Sequence, residues 1–395
     1  MRSVVERFLS YVKIDTTSDE LSNSYPSTSN QTLLLESLSK ELALYGATVD
    51  FDGKYVIANL PKTESKTTIC FIAHVDTSDA VSGKDVKPVI TEYKGGDLVL
   101  PHTTILQSQL KNAINKTVIT SDGSTLLGAD DKAGVAEIMS AVEYFYNNPS
   151  AKRCNVVILF TPDEEIGKGT EFLDVSKLGA DFGYTVDGGE LGELEYENFN
   201  AASLKLTVNG RSIHPGSAKG IMKNAIDLFC EFHSKLPISQ RPANTEKYEG
   251  FYMASDISGS VEKVEASYII RDHDKSEFER KKLLVENIVK SLNNEFGENT
   301  FVAQIKDSYY NMRDVIEKYP NVIDVAKQSF IECGVNPIVK PIRGGTDGAM
   351  LSYKGLPCPN LSTGGGNFHS KEEFVIVESM EKMIEILVKI AENFA

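Results

Sequence analysis

The stretch LLGADDKAGVAE places two adjacent carboxylates, Asp130 and Asp131, between a glycine and the start of a predicted helix. The apolar residues around them predict that this segment turns toward the protein interior. Burying an unpaired carboxylate is costly, so the pair needs a positive partner, a metal or water beside it. The two aspartates therefore mark a candidate site.

The motif HVDT ends a short apolar run with His74 and Asp76. Side chains alternate along a strand, so His74 and Asp76 point to the same side. A metal-bound imidazole usually gives its second N–H to a carboxylate, and this spacing supplies one. A histidine in an ordinary hydrogen bond at a strand end fits the same pattern.

Three more groups follow apolar runs or glycines in the same way. Glu164 and Glu165 end FTPDEE, Asp187 ends YTVD, and His369 follows the glycine triplet of TGGGNFH. In an adjacent acid pair one residue can bind metal while the other takes a proton from water. Taken singly, each motif also fits a solvated loop; their joint occurrence favours a shared site.

Together these motifs supply a mixed oxygen and nitrogen ligand set that suits zinc, cobalt or manganese. The proposed ligands are His74, Asp130, Glu165, Asp187 and His369. If one carboxylate bridges, each of two metals receives three protein ligands and keeps open positions for water and substrate. The position of Asp130 after Gly128 and before a helix makes it the best candidate bridge.

The elements that must position these residues alternate between buried strands and amphipathic helices, such as the helix predicted for 133–147. This alternation predicts an α/β fold with a doubly wound mixed sheet, whose ligands bind beyond the carboxyl ends of the strands. From about residue 200 the pattern becomes βαββαβ, which predicts an inserted ferredoxin-like domain. We therefore expect a catalytic domain formed by 1–200 and 309–395, and an inserted domain at 201–308.

The chain has 395 residues, 56 acidic against 41 basic, and a net charge of −15. No basic run forms a footprint for phosphate backbones, which argues against a nucleic-acid partner. No apolar stretch is long enough to cross a bilayer, and the first residues resemble a helix rather than an export signal. The five scattered cysteines fit reduced thiols, so we expect a cytoplasmic protein without a membrane partner.

The motifs AHVDT, GADDKAG, FTPDEEIG, TVDGGE, GRSIHPG, RGGTDGA and GGGNFHSKEEF occur in this order along the chain. In this order they resemble the co-catalytic zinc aminopeptidase, carboxypeptidase and aminoacylase family, and within it the tripeptide aminopeptidases. The resemblance covers essentially the whole chain. It implies a zinc metallopeptidase that releases the N-terminal residue of tripeptides, with two Zn²⁺ per subunit and cobalt or manganese as substitutes.

The same resemblance assigns roles to residues. His74 and Asp187 would hold one zinc, and Glu165 and His369 the other, with Asp130 bridging both and a cis peptide following it. Asp76 matches the family's catalytic aspartate, which orients the zinc-binding histidine. Glu164 matches the general base that takes a proton from the attacking water.

Further residues match the substrate-binding positions of the family. His214 resembles a histidine that stabilises the tetrahedral intermediate, and Asn360 is another candidate. Arg271 and Arg343 resemble arginines that bind a substrate carboxylate, although either could instead form an ion pair in domain packing. The inserted domain would act as a lid and as the surface of a homodimer.

Two other readings remain open from the sequence. The first is a relative with the same metal chemistry, such as a dipeptidase, a carboxypeptidase or an N-acyl amino acid deacylase. The second is a non-catalytic, metal-dependent peptide-binding protein. Intact Asp76 and Glu164 argue against the second.

Overall fold

The structure is a computed structural model that describes residues 2–395. It divides into two compact units. The large unit comprises the chain up to Tyr196 together with Met312–Lys340 and Thr346–Ala395, and the small unit comprises Glu197–Asn311 and Pro341–Gly345. The roles of lid and dimerisation surface stay predictions.

The helices and strands of the described residues are numbered in chain order. The α-helices are α1 (Val4–Tyr11), α2 (Ser29–Leu44), α3 (Ala129–Asn147), α4 (Ala225–Lys235), α5 (Lys275–Phe296), α6 (Arg313–Ile316), α7 (Pro320–Glu332), α8 (Asp347–Tyr353) and α9 (Val377–Asn393). The strands are β1 (Thr48–Phe51), β2 (Val56–Asn59), β3 (Thr68–His74), β4 (Val89–Tyr93), β5 (Leu98–Val99), β6 (Thr104–Ile105), β7 (Lys116–Thr120), β8 (Asn155–Thr161), β9 (Phe182–Gly188), β10 (Glu193–Glu195), β11 (Asn200–Asn209), β12 (Phe251–Gly259), β13 (Lys263–Asp272), β14 (Phe301–Tyr309), β15 (Ile338–Val339), β16 (Asn360–Ser362), β17 (Gly365–Gly366) and β18 (Phe374–Ile376).

The large unit is built on an eight-stranded sheet in the order β1-β2-β8-β3-β9-β16-β10-β15. Strands β8, β3, β9 and β16 run parallel, and β1, β2 and β10 add antiparallel pairs. All but the first residue of β3 and of β8 are buried, as expected for strands covered on both faces. The prediction of a doubly wound mixed sheet is confirmed, and the carboxyl ends of the parallel strands share one edge.

Helix α3 packs on β3 and β9 and follows an irregular start. Gly128 has a positive φ of 83°, and Asp130 and Asp131 have non-helical backbone angles. The peptide bond between the two aspartates is cis, which confirms the prediction. The predicted helix at 133–147 therefore corresponds to the regular part of α3.

A second, four-stranded sheet of the large unit has the order β17-β18-β7-β4. In it β18 pairs antiparallel with β7, with Phe374 opposite Thr120. The segment after β7 leads to Asp130, and the loop between β17 and β18 carries His369. This sheet therefore ties together two segments that carry predicted ligands.

The small unit has the chain order β11-α4-β12-β13-α5-β14 and the sheet order β12-β13-β11-β14. This is the predicted ferredoxin-like βαββαβ arrangement, and the fold class is confirmed. Alternate residues of β11 and β13 face a core with the apolar sides of α4 and α5.

Two further features concern the described residues as a whole. No helix within 2–395 combines the length and the apolar run that crossing a bilayer requires. The five cysteines are free thiols, as expected, and three of them are buried, namely Cys70, Cys154 and Cys358.

Candidate metal centre

The carboxyl edge of the large sheet brings together residues that are far apart in the chain. His74 is the last residue of β3, Asp187 lies near the end of β9, and Glu165 follows β8. The start of α3 adds Asp130, and the loop between β17 and β18 adds His369. The structure thus collects all five sequence-predicted ligands in the large unit.

The first group of donor atoms comprises His74, Asp130 and Asp187. Nε2 of His74 lies 3.0 Å from Oδ1 of Asp130 and 3.4 Å from Oδ1 of Asp187. The His74 side chain is 2% exposed, and those of both aspartates are largely buried. One imidazole and two carboxylates thus lie close enough together to bind a single metal ion.

The second group comprises Asp130, Glu165 and His369. Nε2 of His369 lies 3.0 Å from Oδ2 of Asp130 and 2.9 Å from Oε2 of Glu165. The two oxygens of Asp130 therefore face different groups, Oδ1 toward His74 and Oδ2 toward His369. This is the geometry that a bridging carboxylate needs.

His369 is held in an unusual backbone conformation. Its φ is 59°, in the left-handed region, and that of nearby Asn367 is 55°. Non-glycine residues with positive φ are uncommon and cluster at functional sites, where surrounding contacts hold them. The loop is thus shaped to present the imidazole to Asp130 and Glu165.

The electrostatics of this edge favour bound cations. Burial raises the pKa of Asp187 to about 8 and that of the Glu164 carboxyl well above its usual value. Burial alone would lower the pKa of His74, but Asp187, Asp130 and Asp76 outweigh it and raise that pKa. Hydrogen bonds to Asp130 and Glu165 raise the pKa of His369 to about 11. Acidic side chains outnumber the two imidazoles here, and the oxygen and nitrogen donors fit divalent zinc, cobalt or manganese.

Asp76 contacts the ligands without joining either group. Its Oδ1 lies 3.3 Å from Nδ1 of His74, opposite the nitrogen that faces Asp130. The same carboxylate accepts hydrogen bonds from the backbone N–H of Glu164 at 3.0 Å and of Glu165 at 3.1 Å. Asp76 is fully buried, so it fixes the His74 ring and the Glu164–Glu165 loop together.

Asp131 joins neither group of donor atoms and instead accepts hydrogen bonds from two backbone N–H groups. Its Oδ2 accepts from the backbone N–H of His74 at 3.2 Å, and its Oδ1 accepts from that of Gly134 at 3.2 Å. Adjacent aspartates thus serve different tasks, one among the donor atoms and one in the first turn of α3.

The sequence interpretation missed Asp163, which precedes the acid pair. Its carboxylate accepts from the backbone N–H of Ser27 and from Nε2 of Gln31, both at 2.7 Å, and its own N–H donates to Gln31. Its φ is 57°, so these contacts hold a left-handed turn before Glu164. Its place in the motif PDEE was the available signal.

Asp347 was also missed. It is buried at the start of α8, and its carboxylate accepts from Oγ1 of Thr161, the last residue of β8, at 2.8 Å. Burial raises its pKa to about 6. The glycines around it in RGGTDGA were a signal for close packing, but the sequence pattern gave no partner for the carboxylate.

The predicted substrate-binding residues are divided between the units. Asn360 belongs to the large unit, where its side-chain amide donates to Oε2 of Glu195 at 2.8 Å. In the small unit, the exposed His214 accepts from the backbone N–H of Gly216 at 3.1 Å. Their roles stay predictions.

The two arginines of the small unit differ in how their guanidinium groups are used. Arg343 donates to the backbone oxygen of Glu249 at 3.2 Å and to Oγ1 of Thr245 at 3.1 Å. The guanidinium of Arg271 lies 5.2 Å from the ring centre of Tyr309, and among residues 2–395 its buried Nε has no hydrogen-bond partner. Arg271 therefore has the greater unused capacity for an anionic ligand.

Comparison with known proteins gives a consistent set of relatives. Residues 121–393 match the model of peptidase family M20/M25/M40. A peptidase T from Caldanaerobacter subterraneus subsp. tengcongensis is 52% identical over 406 residues, covering 100% of this chain and 99% of the relative.

Two solved structures share the fold. The aminopeptidase PepT from Bacillus cereus superposes with a TM-score of 0.81 at 23% identity, covering 99% of this chain and 98% of the other. A dinuclear metal-binding peptidase of family M20 from Bacillus subtilis gives a TM-score of 0.65 at 13% identity, covering 98% and 96%.

Proposed function

Because the chain belongs to peptidase family M20/M25/M40, we propose that it is a metal-dependent aminopeptidase that releases the N-terminal residue of tripeptides. The relative that is 52% identical over the full length carries the name peptidase T, which supports the substrate class. The single observation that carries the chemistry is the placement of the two oxygens of Asp130 toward separate donor groups. Such a bridge suits a pair of metal ions rather than one.

The proposed cofactor is two Zn²⁺ per subunit. His74 and Asp187 would hold one ion, Glu165 and His369 the other, and Asp130 both. Three protein ligands per ion leave positions open for water and substrate. When bound, the ions would lower the pKa of a water molecule and polarise the scissile carbonyl.

Glu164 is the proposed general base. It directly precedes the ligand Glu165, and the Asp76 carboxylate holds the backbone N–H groups of both. Burial raises the pKa of Glu164, which suits a carboxylate that must accept a proton and then release it. We propose that it takes the proton of the attacking water and delivers it to the leaving amine.

Asp76 is proposed to act through the groups that it holds. Its contact with Nδ1 of His74 leaves Nε2 facing Asp130 and Asp187. A carboxylate in this position fixes the orientation of the imidazole and raises its basicity as a ligand. It also keeps Glu164 and Glu165 in register with His74.

The small unit is proposed to supply substrate contacts. Arg271 would bind the peptide carboxylate, because its planar guanidinium can donate two parallel hydrogen bonds. His214 would stabilise negative charge on the attacked carbonyl oxygen. Arg343 and Asn360 are weaker substrate-binding candidates, since the contacts of Arg343 with Glu249 and Thr245 also fit a purely structural role. A cytoplasmic homodimer formed through the small unit completes the proposal.

A peptide panel tests this function. Trialanine, dialanine, tetraalanine and N-acetyl-trialanine should be incubated with the chain after chelation and reloading with zinc, cobalt or manganese. We expect trialanine to release free alanine and dialanine, and blocking of the N-terminus to abolish release. Preferred cleavage of dialanine, release of free alanine from the C-terminus of N-acetyl-trialanine, or deacetylation of that blocked peptide would instead identify one of the related hydrolases. Binding of trialanine without any cleavage would identify a peptide-binding protein.

A further inference from the structure

Glu373 is a buried carboxylate that has no role in the proposed metal chemistry. It lies four residues after His369 and directly precedes β18, and it is 1% exposed. Its neighbour Glu372 is half-buried and contacts Oγ1 of Thr103. Two adjacent acids again have different surroundings.

Three backbone N–H groups donate to the Glu373 carboxylate. Oε2 accepts from Leu127 at 2.7 Å and from Gly128 at 2.8 Å, and Oε1 accepts from Asp130 at 3.0 Å. These donors belong to the irregular segment that begins α3. Gly128 is the N-cap residue of that helix and makes no side-chain cap hydrogen bond, so a distant residue supplies the acceptor.

The contact joins two of the three segments that carry the second group of donor atoms, those of Asp130 and His369. Glu373 is separated from Asp130 by 243 residues and from Leu127 by 246, yet it is only four positions from His369. The next residue, Phe374, pairs with Thr120 at the end of β7, and β7 leads into the segment that contains Leu127 and Asp130. One carboxylate directly before β18 thus links the position of Asp130 to that of the loop carrying His369.

The chemistry of the site calls for a carboxylate. Three converging N–H groups need acceptors only, and an ionised carboxylate offers two oxygens with no donor. A glutamine of the same shape has one acceptor oxygen and one amide nitrogen, so in either orientation at least one backbone N–H would face a second donor. A backbone segment that loses this anchor would no longer hold Asp130 in one position.

We propose that Glu373 is a positioning residue of the metal centre, which holds the bridging Asp130 in register with His369 through the backbone of residues 127–130. This inference rests on the proposed function, because it takes Asp130 as the shared ligand. Groups that hold ligands in place typically account for about 10–100-fold in metal affinity. We expect a loss of this size when the anchor is removed.

The test compares Glu373→Gln with the matched control Glu372→Gln in the full-length chain. Each protein is stripped with a chelator and titrated with Zn²⁺ against a chromophoric competitor, and Co²⁺ absorption reports the ligand field. We expect Glu373→Gln to bind Zn²⁺ about 10–100-fold more weakly and to alter the Co²⁺ spectrum. The control should match the wild type in both readouts.

Circular dichroism establishes that each variant is folded before titration. If Glu373→Gln does not fold, Glu373→Asp replaces it; the charge is kept, but the shorter side chain cannot reach all three donors, so weaker metal binding is again expected. The inference would be overturned if a folded Glu373 variant kept the wild-type Zn²⁺ affinity and Co²⁺ spectrum, or if Glu372→Gln lost as much Zn²⁺ affinity. Neither result would contradict the proposed function. A wild-type chain that binds fewer than two metals would instead contradict the proposed function.

Discussion

One substitution at Asp76 should distinguish a residue that holds metal ligands in position from a residue that binds the metal itself. Replacing it with asparagine keeps the shape but leaves one oxygen for two backbone donors, the N–H groups of Glu164 and Glu165 at 3.0 and 3.1 Å. One N–H then faces the new amide. A hydrogen bond to a charged group contributes about 1.5–3 kcal/mol. Because 1.36 kcal/mol corresponds to a tenfold change in rate, the expected fall in kcat/KM is about 10- to 150-fold.

The assay is tripeptide cleavage at saturating zinc, with zinc content measured in the same samples. Asp79→Asn is the matched control, because Asp79 is exposed three residues further on and should change kcat/KM by no more than about twofold. Zinc loading of Asp76→Asn should be restored by excess metal while turnover stays low. Wild-type kcat/KM in Asp76→Asn, or full recovery of turnover with added zinc, would refute the positioning argument.

Three further predictions concern the bridge, a close packing contact and a buried acid. Asp130→Ala should lose zinc from both positions and His369→Ala from only one, as measured by zinc content after dialysis; equal losses would contradict the bridge. Gly134→Ala should lower the free energy of unfolding by about 1–3 kcal/mol in denaturant titrations, since a Cβ there would lie 1.9 Å from the backbone oxygen of Val186. Glu137 is buried, its oxygens have no hydrogen-bond partner among residues 2–395, and burial raises its pKa. Because this pKa is raised, the protonated side chain contributes its full stability to the folded state below pH about 4.5, and that contribution is lost as pH rises. Glu137→Gln should therefore raise Tm more at pH 8 than at pH 5. An equal change in Tm at both pH values would contradict the raised pKa.

The sequence predicted the parts of the fold that have a clear period. Strands β3, β8 and β9 are apolar runs that end in polar residues, so the meeting of His74 and Asp187 at one edge followed from the rule for parallel strands. The helix predicted for 133–147 was likewise located, and it ends where α3 ends. The family resemblance then indicated which acidic residues would bind metal and which one, Glu164, would act as the general base.

The parts that escaped prediction are short strands without a recognisable period and side chains whose distant partners have no local signal. Strands β5, β6, β15 and β17 have two residues each, too few to show alternation. The anchors Glu373 and Asp163 act on backbone N–H groups more than 130 residues away, and any residue type except proline can provide such a donor. Their partners could therefore not be read from residue types and spacing.

The proposed function requires that the chain bind two metal ions through five ligands and that Glu164 move the proton of the attacking water. The most direct measurement is zinc content and trialanine hydrolysis in the same preparation of Glu164→Ala. We expect about two zinc ions per chain and a loss of kcat of about 10²–10⁴-fold. Zinc content well below that of the wild type, or turnover close to that of the wild type, would contradict it.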